Sequence, residues 1–96
     1  MAASADVKRA AEVRRLIVTA LGKLEDERRI EPLLGALHDK DADVQRAAIS
    51  AVKNIKNDRV ITALAPLVRH TDIGVSGRAV QVLETLGWRP VSRDDS

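Results

Sequence analysis

Three stretches of this chain repeat one another at an offset of 31 residues. The central copy, Asp41 to Ile55, reads DADVQRAAISAVKNI. Val44, Ala47, Ala48, Ala51, Val52 and Ile55 fall at steps of three and four, the apolar stripe of a 3.6-period helix. Asp41 or Asp43 can cap the amino end, where free N–H groups need an acceptor. The three alanines let neighbours come close, so this helix should be packed on more than one side. Upstream, Val13, Leu16, Ile17, Ala20, Leu21 and Leu24 carry the same stripe. Downstream it is Val75, Ala79, Val82, Leu83 and Leu86, with Arg78 in place of the second member. The intervening segments also match, Ile30, Leu33, Leu34 and Leu37 against Ile61, Leu64, Ala65 and Val68. Asp26 and Asn57, one before each, are good caps. A period that holds at both core and cap positions predicts a helical solenoid.

Taken in order, the chain predicts five helices, two complete pairs and one unpaired. Met1 to Ala3 should fray, and Ser4 or Asp6 can start a long first helix running to about Lys23. Residues 27–37 form the second helix, with Pro32 imposing a kink or an irregular first turn. Residues 58–69 repeat it, with Pro66 again removing a backbone bond. Thr71 and Asp72 turn into the last helix, which stops near Gly87 ahead of Pro90. The repeats are thus about 5–38 and 39–70, with a partial third at 71–88 and a disordered tail at 89–96. The initiating Met1 and the polar tail favour a complete chain over an excerpt. No segment alternates in the manner of a strand.

Ninety-six residues without cysteine make one domain with neither disulfides nor thiolate metal sites. No apolar run approaches the ~20 residues a membrane span needs, and no signal-peptide core is present, so the expected location is cytoplasmic. Trp88 is the only aromatic residue. A core of Leu, Ile, Val and Ala suits stacked helices better than ligand pockets. The net charge of +2 is mixed along the chain, and only residues 1–23, with five basic and two acidic side chains, are clearly positive.

The stretches D-A-D-V-Q-R-A-A-I-S-A-V-K-N-I at 41–55 and D-E-R-R-I-E-P-L-L-G-A-L at 26–37 resemble HEAT repeats of the short, roughly 30-residue kind found in phycobilin lyase-like proteins. Val44, Arg46, Ala47 and Ala48 match the usual start of a first helix, and Leu83 to Trp88 with Pro90 resemble the end of one. The resemblance covers about residues 10–90. It implies an all-α, right-handed superhelix of antiparallel hairpins, first helices convex and second helices concave. It implies a scaffold that binds other proteins. It also leaves open a lyase-like or chaperone-like helper for a tetrapyrrole-bearing protein. Gly77, in place of the arginine found at Arg15 and Arg46, and the missing last helix depart from the pattern.

If the second helices line the inner face, its exposed positions are Arg28, Glu31, His38, Arg59, Thr62 and Arg69. The three arginines would form a modest basic strip for acidic side chains of a partner. Arg78, Leu86 and Trp88 mark an open carboxyl-terminal end through which the chain could self-associate. Lys8, Arg15, Lys23, Arg46 and Lys53 lie on the outer face, where weak nucleic-acid binding is the alternative. Glu12 interrupts that patch and no aromatic interleaves it. Asp39, Asp41 and Asp43 resemble a calcium loop but lack its later Gly and Glu, and read as helix capping. His38 and His70 are out of register by one, which argues against a shared metal. No nucleophile–base–orienter set can be assembled. The expectation is a non-catalytic protein-interaction module with no cofactor.

Overall fold

Each helix after the first begins where a short polar side chain reaches back to free backbone N–H groups. Asp26 Oδ1 accepts from the Arg28 amide at 2.8 Å and starts a 3-10 turn, Glu27–Arg29, that runs into α2, Ile30–Ala36. Asp41 Oδ1 accepts from the Asp43 and Val44 amides at 2.8 and 3.1 Å and starts α3, Ala42–Ala51. Asn57 Oδ1 accepts from the Arg59 amide at 2.8 Å and starts α4, Asp58–Leu64. Asp72 Oδ1 accepts from the Val75 amide at 3.0 Å and starts α5, Ile73–Thr85. The first helix, α1, spans Ala2–Gly22 and so starts before the expected Ser4. This computed structural model describes residues 2–87; Trp88 and the tail at 89–96 lie outside them.

The prolines act as expected. Pro32 follows an irregular 3-10 first turn, and Pro66 lies in a 3-10 segment, Ala65–Arg69, into which α4 tightens. Gly87, at φ +89°, takes the left-handed conformation that ends α5. The central helix is shorter than its stripe: α3 ends at Ala51, and Ile55 is buried from the turn beyond it. The described residues hold five α-helices and no strand, a short helical solenoid. The packing α1 on α3 on α5 makes one layer, and α2 beside α4 makes the other.

Leu33, Leu37, Ile49, Leu64 and Leu83 are fully buried between the layers, with Val44, Ala48 and Val52 of α3 at the centre. Gln45 is buried with them because its amide donates to the Leu37 carbonyl at 3.1 Å, satisfying the end of α2. At the α1–α3 crossing Gly22 lies on Ala51. A Cβ built at Gly22 would stand 2.8 Å from the Ala51 Cβ.

The stripe expected on α1 is corrected here. Ala11 and Val18 are buried and Leu21 partly so, while Val13, Leu16, Ile17, Ala20 and Leu24 face outward. Among the described residues the aligned positions on α3 have a helix on each side, whereas α1 packs chiefly on α3 and α2. It therefore carries two apolar faces, one used and one open.

Candidate functional site

Between α2 and α4 runs a groove of about 650 Å³. Its floor is small and apolar: Leu34 and Gly35 from α2, Ala63 from α4, and Pro66 from the 3-10 segment. Glu31, His38, Asp58, Arg59 and Thr62 stand along its edges. Four of the six residues expected on the inner face, Glu31, His38, Arg59 and Thr62, are thus brought together.

The expected basic strip does not form. Arg28 turns back onto Asp26, with a guanidinium-to-carboxylate distance of 2.8 Å. Arg59 pairs with Glu31 across the groove. Arg69 lies at the end of its 3-10 segment and does not line the groove. Asp58 and Glu31 face a single arginine there, so the groove is near neutral with an apolar floor. Both pairs are solvent-exposed, and such pairs contribute little to stability. The Arg28 guanidinium nevertheless holds the Asp26 carboxyl below its ordinary range.

The open carboxyl-terminal end is also revised. Leu86 is only 7% exposed and belongs to the core, so it offers no surface for self-association. Arg78 is exposed, and its guanidinium donates to Ser50 Oγ at 3.1 Å, back onto α3. Trp88 lies outside the described residues.

On the opposite side, a polar groove of about 470 Å³ crosses the outer layer, lined by Glu12, Arg15, Asp43, Arg46, Ser50 and Arg78, with Ala47. Arg46 pairs with Asp43 and, at 3.0 Å, with Asp72. Arg14 binds Asp39 through Nε at 2.8 Å and a second nitrogen at 3.1 Å. Asp39 also accepts from the Asp41 amide. The Arg14 hydrogen bonds hold the Asp39 carboxyl below its ordinary value. Asp72 is lowered chiefly by its hydrogen bond from the Val75 amide, then by Arg46. These aspartates are engaged in capping and pairing. Among the described residues, no group of three or more His, Asp or Glu could hold a metal ion. No helix among them is long and apolar enough to cross a membrane.

The sequence reasoning missed the groove floor. Gly35 and Pro66 are equivalent positions one repeat apart, both exposed. Two small residues recurring on an outward position were the available signal.

The helix order, the caps and the two-layer packing agree with a match to a family model for HEAT repeats, which covers residues 3–84. The chain belongs to the HEAT-repeat family. HEAT repeats generally mediate protein–protein interaction. No curated protein and no solved structure matched the chain.

Proposed function

We propose that this HEAT-repeat chain is a non-catalytic protein-binding module, and that its partner occupies the groove between α2 and α4. The observation that carries this reading is the apolar floor of Leu34, Gly35, Ala63 and Pro66, open to solvent and edged by hydrogen-bonding groups. Interfaces of this kind combine an apolar centre with a polar rim. The small floor residues leave room for a partner's larger side chains. Thr62, His38 and the Glu31–Arg59 pair supply donors and acceptors around it.

The outer face supports this reading over nucleic-acid binding. Arg46 is engaged by Asp43 and Asp72, and Glu12 and Asp43 stand beside Arg15. A duplex would need cations free to replace counterions along a continuous stripe. The helper role toward a tetrapyrrole-bearing protein rests on family resemblance alone and is kept as a subordinate reading.

A photo-crosslinking side chain placed at Thr62, and in a second variant at Lys53, tests the proposal. In the source cells, discrete adducts to another protein are expected from Thr62 and not from Lys53, and Ala63→Arg should abolish them. Equal adduct patterns from both positions, or adducts insensitive to Ala63→Arg, would overturn it.

A further inference from the structure

Gly35 is a glycine that the fold itself does not require. It lies inside α2 with ordinary helical backbone, and a Cβ built on it meets nothing within 4 Å. Alanine in its place would favour the helix. Gly22 is the contrary case, since a Cβ there would strike Ala51. What Gly35 leaves bare is a stretch of α2 backbone, exposed to solvent on the floor of the α2–α4 groove. Because Glu31 meets Arg59 across the groove, the next turn sets Gly35 opposite Ala63. A large side chain entering there can rest directly on the main chain.

The groove also says which kind of segment suits it. An extended segment would lay its own N–H and C=O groups on the apolar floor, where the backbone of α2 and α4 is committed within the helices and Pro66 has no N–H. A helix satisfies its own backbone and presents only side chains. The charges then set its chemistry. Glu31 and Arg59 neutralise each other, while Asp58, exposed in the first turn of α4, makes no ion pair among the described residues. One unmatched carboxylate therefore stands about one turn from the Gly35–Ala63 level, roughly 6–8 Å at 1.5 Å per residue. A cation four residues from a large aliphatic side chain spans that distance on one face of a helix.

We propose that the occupant of the α2–α4 groove is an amphipathic helix of another protein. A large aliphatic residue of that helix sits on the bare backbone of Gly35, and a lysine or arginine one turn away meets Asp58. This inference rests on the reading of the groove as the partner's site.

The test uses the full chain and two labelled alanine-rich peptides of about 18 residues. One carries leucine and lysine four positions apart; the other carries leucine and glutamate. Binding is read by fluorescence anisotropy. The lysine peptide should bind about fivefold more tightly, and salt should narrow the difference. Asp58→Asn should bring the two peptides to equal affinity. Gly35→Ala should raise the melting temperature by about 2–8 °C and yet weaken the lysine peptide about fivefold or more. Gly77→Ala, equally open but on α5, should raise the melting temperature and leave binding unchanged. Equal binding of the two peptides, binding of neither, a preference that survives Asp58→Asn, or a Gly35→Ala chain that is more stable and binds as before would each overturn the inference. Thr62 adducts that Ala63→Arg abolishes would then leave the groove as the partner's site with an occupant of other chemistry. Failure of those adducts as well would remove both readings.

Discussion

The two ends of this array solve the same problem differently. α5 and the turn after it concentrate their large apolar residues, Val75, Val82, Leu83 and Leu86, on one buried face and leave Ile73 and Val80 outward. α1 distributes its apolar residues over two faces and buries the one made largely of small side chains. The difference teaches that membership of a repeat stripe does not by itself mean burial. A position on a first helix is buried when a helix stands opposite it, and among the described residues α1 has its neighbours on one side.

The largest effects should break the comparison most directly. Leu83→Ala removes a fully buried side chain from α5 and should cost about 3 kcal/mol, whereas Leu16→Ala, on the open face of α1, should change stability by less than about 0.5 kcal/mol. Urea denaturation of both variants would check this, and similar losses would mean that the face of α1 is covered. Next come two glycines. Gly22→Ala should destabilise by about 1–3 kcal/mol because its Cβ would collide with Ala51 at the layer crossing. Gly77→Ala meets nothing within 4 Å inside α5 and should stabilise by about 0.5–1 kcal/mol. Thermal melts with opposite signs would sharpen the contrast between a crowded crossing and an open end.

A third contrast concerns pH. The folded state holds the Asp39 carboxyl below its ordinary value of 3.8, mainly through Arg14. A lowered carboxyl stabilises the fold at neutral pH, and that contribution fades as pH falls below 3.8 through the folded value. Asp39→Asn should therefore cost about 1 kcal/mol at pH 7 and progressively less toward pH 2. A difference that stayed constant over that range would show that the pair contributes nothing through ionisation.

Much of the fold was legible in the sequence because caps, prolines and helix stops are local. Asp26, Asn57 and Asp72 each act within three residues, and Pro32 and Pro66 act within a turn. The repeat gave the pairing of the helices. What it could not give was the neighbour opposite each face, so the stripe of α1 was assigned inward. Ile49 and Gln45 lie on a second buried side of α3 that the aligned stripe did not include. The site was half legible. The groove between α2 and α4 gathers four of the exposed second-helix residues named from the sequence, Glu31, His38, Arg59 and Thr62. Their charge balance was not legible, because Arg59 and Glu31 are 28 residues apart and meet only after folding.

One oxygen described above joins two repeats. Asp72 Oδ1 receives both the Val75 amide that opens its own helix and the Arg46 guanidinium from the preceding repeat. Asp41 Oδ1, in the matching place on α3, receives the Asp43 and Val44 amides of its own helix. The start of α3 is thus held by its own helix alone, while the start of α5 is also tied to α3. Amide exchange should accordingly release Val75 before Val44, and replacing Arg46 should widen that gap. A single carboxylate is thus both the start of one helix and a clasp between two repeats.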